Sequence, residues 1–305
     1  MWTRATEESA AAGPRPRSRR QTRQFPSQQA EASCFLQTWT AEGVRPDRQV
    51  LFLHGALSHG LRHAEMFEWM VAESRGRLQI HALDLVGHGQ STGPRAHVER
   101  FSVYEHDLLQ ALVLVGESGL PCALMAHSLG GLVALKTLLG HENALPFIPK
   151  ALVLTNPCVR PHRVVDFPRA DDLLEGFSER VPLLRFPRVH KGRDMVINPV
   201  AANQFETDPL VPKYMTARMV RELWYAAEQV RALSYFLKVP TLFLVSEQDA
   251  VVDRQATLLF ARGIDKRWSE VIEYENAKHE LLHEAIGPRV WRDALAWLDR
   301  RMETP

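Results

Sequence analysis

Hydrophobic residues follow two patterns along this chain: short apolar runs, and longer stretches in which apolar residues recur at helical spacing. The short runs predict buried strands, and they cover residues 33–41, 49–53, 78–83, 122–126, 151–155, 240–245 and 271–274. The longer stretches predict helices, at residues 63–73, 103–115, 130–139, 217–233 and 288–301. Strands that alternate with helices predict an α/β fold, with a mostly parallel central sheet and helices on both faces.

Two segments near the start of the chain depart from that alternation. Residues 33–41 and 49–53 flank a turn that contains Gly and Pro, which predicts a hairpin. Residues 1–30 are predicted to be a disordered tail, because six Arg stand among Pro, Ser and Gln within the first 24 positions. The folded domain is therefore expected to span residues 31–302.

Residues 157–212 hold eight prolines, with only short periodic pieces between them. So many helix stops predict an inserted lid of short helices and loops, over about residues 157–235. Its apolar side chains are candidates for an acyl-chain site, although packing against the body explains each of them equally well. They are Phe167, Leu173, Leu174, Phe177, Val181, Leu183, Leu184 and Phe186.

Composition narrows the class of protein. With 305 residues and 45% hydrophobic content, the chain suits one large domain with an insertion. A net charge of +1 gives no indication of a nucleic-acid partner. No apolar run reaches the roughly 20 residues of a membrane span, and the three cysteines lack metal or disulfide spacing. A cytoplasmic location is expected; a transit peptide or peripheral contact of the Arg-rich tail with anionic lipid is the alternative.

The residues with the clearest chemistry lie at 122–131, where an apolar strand meets an apolar helix with only His127-Ser128-Leu129 between them. A serine in so tight a turn is exposed to a substrate, and the helix start offers unpaired N–H groups to an anion. The pattern is the G-x-S-x-G nucleophile elbow, with Ala126 in place of the first Gly. The alternative is an ordinary strand-to-helix junction with a capping serine.

Candidate partners for Ser128 follow other predicted strands. Asp249 follows strand 240–245, at the carboxyl end where ligand and catalytic groups lie in parallel sheets, and His279 follows strand 271–274. Asp253, His283 and His88 are weaker candidates: Asp253 can cap the next helix, and His88 stands in a rigid Gly-flanked turn before the nucleophile.

Two backbone N–H groups are candidates for an oxyanion hole. One belongs to Leu129, directly after the serine, and the other to Ala56, in the loop after an early strand. The histidines form no H-E-x-x-H or similar zinc pattern. We therefore expect neither a metal nor an organic cofactor.

Five motifs in order resemble the monoacylglycerol lipase and lysophospholipase branch of the α/β-hydrolase superfamily. They begin at His54-Gly55-Ala56, Asp84, His127-Ser128, Asp249 and Lys278-His279-Glu280, and the resemblance covers about residues 33–302. It implies that Ser128 is the nucleophile, His279 the general base and Asp249 its orienting carboxylate, with the N–H groups of Ala56 and Leu129 as oxyanion hole.

The resemblance implies a serine ester hydrolase that acts on single-chain lipids, either a monoacylglycerol or a lysophospholipid. The same three side chains could instead serve another acyl transfer, a thioesterase or an amidase. A non-catalytic binding protein with this fold is the third hypothesis. The residues themselves do not indicate the head group, the chain length or the oligomeric state.

Overall fold

The computed structural model describes residues 16–162 and 170–302, and Phe167 lies outside these residues. Eight strands form the central sheet, in the order β1-β2-β4-β3-β5-β6-β9-β10. Their bounds are β1 Ser18–Pro26, β2 Ser33–Ala41, β3 Arg48–Leu53, β4 Leu78–Asp84, β5 Cys122–His127, β6 Leu152–Thr155, β9 Thr241–Ser246 and β10 Ser269–Tyr274. A separate antiparallel pair consists of β7 Arg185–Pro187 and β8 Tyr214–Thr216.

Helices cover both faces of this sheet, as the sequence predicts. Those of the body are α1 Ala64–Glu73, α2 Ser102–Gly116, α3 Leu129–Gly140, α8 Arg254–Gly263 and, after the last strand, α9 Gly287–Met302. Between β6 and β9 the chain forms α4 Ala170–Arg180, α5 Gly192–Met195, α6 Pro199–Thr207 and α7 Ala217–Arg231. We call residues 170–216 of this insertion the cap. Among the described residues, no helix is long and apolar enough to cross a membrane.

Alternate residues of the buried strands enter two separate cores, because successive side chains point to opposite faces. In β3, Val50 and Phe52 pack with α1 and α9 on one face, whereas Leu51 and Leu53 pack with α2 and α3 on the other. A strand buried on both faces is apolar throughout, which explains the short apolar runs in the sequence.

The parallel part of the sheet has its switch point between β3 and β5. After β3 the chain adds β4 on one side, and it then crosses to add β5 on the other. In open α/β sheets the crevice for a ligand lies at the carboxyl ends of the strands at such a point. Here those ends carry Gly55 and Ser128.

The predicted hairpin is wrong. β2 pairs antiparallel with β4, whereas β3 lies between β4 and β5 and is parallel to both. The turn residues between β2 and β3 reverse the chain, but β4 occupies the position between the two strands.

The predicted disordered tail is wrong for residues 18–26, which form β1 along the whole of β2. Its side chains are exposed except for Phe25, which enters the core. The backbone ladder to β2 therefore stabilises a strand whose composition offers almost nothing to bury. Residues 1–15 lie outside the described residues.

Candidate active site

Ser128 lies in a strained turn between β5 and α3. Its backbone has φ 49° and ψ −114°, a region that residues with a side chain seldom adopt. Gly130 makes the turn possible, because a Cβ there would lie 2.7 Å from the carbonyl oxygen of His54 and closer still to that of Leu53. Gly131 has the same role against Pro157, whose Cβ would lie 2.8 Å away.

The irregular position of the elbow motif, Ala126, belongs to the strand and not to the turn. It is completely buried in β5, opposite Leu53 of β3 and Leu154 of β6. Its backbone is not in the left-handed region, so an alanine side chain causes no strain there. The departure from the usual glycine therefore leaves the turn around Ser128 unaffected.

The structure brings Ser128, His279 and Asp249 together. His279 Nε2 lies 2.9 Å from Ser128 Oγ, and His279 Nδ1 lies 2.7 Å from Asp249 Oδ2. Asp249 also accepts hydrogen bonds through Oδ1 from the backbone N–H groups of Val251 and Val252, at 2.8 and 2.9 Å. The carboxylate is thus fixed in the plane where it can orient the imidazole.

The charges of this group support one another. Burial opposes ionisation of Asp249, but the charge and hydrogen bond of His279, with the two backbone N–H donors, hold its pKa below the usual value. Burial likewise disfavours the imidazolium of His279, but the charge and hydrogen bond of Asp249 outweigh it and raise its pKa. His279 can therefore accept a proton from Ser128.

The two predicted oxyanion positions lie at the elbow. Leu129 is the first residue of α3, so its N–H has no acceptor within the helix. The loop after β3 lies against Ser128, because a Cβ on Gly55 would be 3.2 Å from the Cβ of Ser128. Ala56 follows directly in this loop.

His54 fixes the loop that contains Ala56. Its Nε2 accepts a hydrogen bond from Leu85 N at 3.0 Å, so its Nδ1 carries the proton and donates to Gly55 O at 2.7 Å. Burial lowers the pKa of His54 well below its usual value, in agreement with this neutral form. The sequence shows His54 in a motif but gives no indication of this role.

The structure places the three weaker candidates, Asp253, His88 and His283, outside the hydrogen-bonded group of Ser128, His279 and Asp249. Asp253 caps α8 by accepting a hydrogen bond from Ala256 N at 3.1 Å. His88 is buried, donates to Val86 O at 3.1 Å and has its pKa lowered by burial to about 4. The ring of His283 packs on that of His63, with centroids 4.7 Å apart.

Two polar residues to which the sequence reasoning gave no role, Asn156 and the motif residue Glu284, hold the loop of His279 in place. Asn156, directly after β6, donates to His279 O at 2.8 Å and accepts from Ser246 N at 2.9 Å. The Glu284 carboxylate accepts from Lys278 N and, in the cap, from Ile197 N, both at 2.9 Å. A polar residue at a strand end signalled Asn156, whereas the partners of Glu284 are too distant in sequence to be foreseen.

The chain is similar to known proteins over most of its length. Residues 44–286 match the family described as "Serine aminopeptidase, S33", a family of α/β-hydrolases. The chain belongs to this family. Its eight-stranded sheet is the α/β-hydrolase fold, and the protein is a hydrolase.

Named relatives of this hydrolase include lipases and a phospholipase. It is 27% identical to phospholipase YtpA of Bacillus subtilis over 268 residues, which cover 86% of this chain and 99% of the relative. It is also 27% identical to human monoglyceride lipase over 282 residues, or 88% of each chain. The crystal structure of Paleococcus ferrophilus monoacylglycerol lipase superposes with a TM-score of 0.74 at 19% identity, covering 93% of this chain and 99% of that one.

Proposed function

We propose that this hydrolase cleaves carboxylic esters of single-chain lipids, a monoacylglycerol or a lysophospholipid, through an acyl-enzyme on Ser128. The observation that carries the proposal is the hydrogen-bonded series Ser128–His279–Asp249 at the elbow, with its 2.9 and 2.7 Å contacts. The names of the relatives support a lipid ester as the substrate.

The first half-reaction forms the acyl-enzyme. Ser128 Oγ attacks the ester carbonyl while its proton passes to His279 Nε2, and Asp249 stabilises the imidazolium through Nδ1. The carbonyl oxygen becomes an oxyanion, which the N–H groups of Leu129 and Ala56 bind; each such donor lowers the barrier by about 3 kcal/mol. The C–O bond to the alcohol then breaks, and His279 gives its proton to the leaving oxygen.

The second half-reaction releases the fatty acid. Water enters where the alcohol stood, His279 takes its proton, and the hydroxide attacks the acyl carbon. Collapse of this second oxyanion returns the proton to Ser128 Oγ. The cycle consumes one water and needs no metal or organic cofactor.

The cap supports a lipid substrate. Large apolar side chains stand exposed along its first half, with 41% of Phe177, 46% of Val181 and 57% of Leu183 accessible. Exposed apolar side chains that cluster on one segment are typical of surfaces that contact lipid or substrate. We propose that the cap receives the acyl chain and that the protein touches membranes only peripherally.

The test is a panel of esters at pH 8 with the wild type and Ser128→Ala. Monoacylglycerols and lysophospholipids of matched chain length are compared with acetyl to dodecanoyl esters of one alcohol. We expect kcat/KM to rise with chain length, one lipid class to be cleaved, and Ser128→Ala to show no turnover. Equal rates from acetyl to dodecanoyl esters, together with no cleavage of either monoacylglycerols or lysophospholipids, would contradict a lipid substrate.

A second candidate is amide hydrolysis by the same residues, because the family description names an aminopeptidase. An amide needs the same attack by Ser128 but a leaving amine that His279 must protonate. Aminoacyl anilides belong in the same panel. Faster turnover of these than of any ester would favour the amidase hypothesis over the lipase hypothesis.

A further inference from the structure

A buried carboxylate lies directly behind the proposed base. Glu280 follows His279 in the chain and is only 2% exposed. One of its oxygens, Oε1, lies 3.5 Å from His127 Nε2. The other, Oε2, lies 3.5 Å from both Arg62 Nη1 and His283 Nε2.

These contacts link the chain segment of His279 to the segment of Ser128. His127 precedes Ser128, and its ring packs on that of His279 with centroids 4.9 Å apart. Its other nitrogen, Nδ1, lies 3.1 Å from Thr155 O and is fixed on that side. Glu280, the residue after the base, therefore lies against His127, the residue before the nucleophile.

Arg62 supplies the permanent counter-charge. Its side chain is 7% exposed, and its guanidinium lies over the ring of Phe205 at 4.8 Å from the centroid. Burial opposes ionisation of Glu280, but the charge of Arg62, together with the neighbouring His127 and His283, holds its pKa well below the usual value. The carboxylate is thus ionised beside His279.

The separations in this cluster indicate that Glu280 interacts with its neighbours mainly through its charge and not through direct hydrogen bonds. At 3.5 Å the three contacts of Glu280 are at the long limit for a hydrogen bond. Glu280 Oε2, His127 Nε2, His283 Nε2 and both nitrogens of His63 have no hydrogen-bond partner among the described residues. No three metal-binding side chains in the described ranges are arranged to share a metal ion, so the cluster is not read as a metal site.

We propose that Glu280 is a positioning residue for the reaction proposed above: with Arg62 as its counter-ion, it holds the His127 and His279 rings against each other and stabilises the imidazolium of His279. The inference rests on the proposed function, because it concerns the proton transfer from Ser128. Asp249 acts on His279 through Nδ1, and Glu280 acts from the next residue along the chain. Its negative charge contributes to the raised pKa of His279, after the larger effects of burial and Asp249.

Several other titratable or charged groups face His279 and Glu280. Around His279 they are Ser128, Asp249, His127 and, from the cap, His190. Around Glu280 they are Arg62 and His63 from the segment after β3, with His127 and His283. Of all these groups, the test substitutions alter only Glu280 and Arg62.

Two substitutions that each remove one charge should move the acidic limb of the kcat/KM profile in opposite directions. Glu280→Gln removes a negative charge near His279, so the limb should move to lower pH, with kcat about ten-fold lower and KM little changed. Arg62→Gln leaves the Glu280 charge less compensated, so the limb should move to higher pH. If Glu280 and Arg62 served folding alone, each substitution would lower the melting temperature and leave the acidic limb at its wild-type pH.

The profile is measured in two ways, by ester hydrolysis and by the rate of labelling with a fluorophosphonate. Glu105→Gln is the matched control, since Glu105 is a buried carboxylate in α2 that pairs with His141 at 2.9 Å. This variant should keep the wild-type limb. If Glu280→Gln does not fold, the double variant Glu280→Gln with Arg62→Gln is compared with Arg62→Gln alone, and its limb should lie at the lower pH.

Limbs that stay unmoved, or that move the same way in both single variants, would overturn the role of Glu280. The wild type separates this result from failure of the proposed function. If the wild type is labelled and hydrolyses esters, unmoved limbs contradict only the role of Glu280. If the wild type is neither labelled nor active, the proposed function itself fails.

Discussion

The body and the cap of this hydrolase are built in different ways. In the body, β3, β5 and β9 are buried along their whole length; Ser128 follows β5 and Asp249 follows β9, whereas His279 follows the partly exposed β10. In the cap, β7 has two exposed residues of three, and large apolar side chains such as Leu183 face solvent. The body thus holds the candidate catalytic residues beside buried strands, whereas the cap, which we propose receives the acyl chain, presents apolar side chains to solvent.

Polar contacts join the two regions near the site. His59 Nε2 lies 2.9 Å from Asp208 Oδ2, and Glu284 accepts from Ile197 N at 2.9 Å. Because Glu284 also accepts from Lys278 N, the cap and the loop of His279 share one buried carboxylate. Changes in the body should therefore affect the chemical step, whereas changes on the cap surface should affect the choice of substrate.

The largest effect is expected for the acid in the body. Asp249→Asn should lower kcat by about 10³–10⁴-fold, because the amide no longer holds the imidazole in its required tautomer. Asp253→Asn is the control: asparagine caps a helix as well as aspartate does, so this variant should retain its activity. Steady-state kinetics give kcat for both variants. A large loss of kcat in Asp253→Asn, with activity retained in Asp249→Asn, would make Asp253 the acid.

The elbow provides a second test of the rigid body. Gly130→Ala should lower the free energy of unfolding by about 1–3 kcal/mol through overpacking, and it should lower kcat about 10²-fold by displacing Ser128. Gly140→Ala, at the end of the same helix, meets no atom closer than 3.8 Å. This control should leave stability unchanged or raise it by up to about 1 kcal/mol. Urea denaturation and ester assays compare the two, and equal effects would contradict the close approach at Gly130.

The cap should respond differently. Phe177→Ser combined with Leu183→Ser should lower turnover of long-chain esters several-fold and leave a soluble acetyl ester unaffected, since less apolar surface meets the lipid. Val113→Ser, at an apolar residue of α2 that is 52% exposed, is the control on the body. Loss of both activities to the same degree would mean that the cap supports the chemistry itself.

The smallest effect concerns a buried histidine of the body away from Ser128. Burial lowers the pKa of His81 to about 4, so below pH 6.5 the unfolded chain binds a proton that the folded chain does not. Its contribution to stability is complete above pH 6.5 and is lost as the pH falls toward 4, by up to about 1.4 kcal/mol per pH unit. His81→Gln should flatten the dependence of urea midpoints on pH over this window. An unchanged slope would contradict the lowered pKa.

The difference between body and cap also explains how much of the molecule could be predicted. The strands β3, β5, β6 and β9 were predicted close to their bounds, because a strand buried on both faces is uniformly apolar. The structure also brings Ser128, Asp249 and His279 together as expected, since polar residues directly after such strands all lie at one edge of the sheet.

The errors concern information that is not local. Nothing between β2 and β3 shows that β4 will lie between them, and β1 depends on hydrogen bonds to β2 and not on its own composition. Glu280 and Glu284 belong to a sequence motif, but it gives no indication of their roles, because the charges and N–H groups that hold them are distant in sequence. The supporting contacts were therefore not foreseen, although the three candidate catalytic side chains do lie together.

The nucleophile is the central claim, and one measurement tests it directly. The wild-type protein is treated with a fluorophosphonate and digested, and the modified residue is identified by peptide mass spectrometry, with Ser128→Ala in parallel. We expect a single adduct on Ser128 and none in the variant, with loss of ester hydrolysis in proportion to labelling. An adduct on another residue, labelling that survives in Ser128→Ala, or full activity after complete modification of Ser128 would contradict the account.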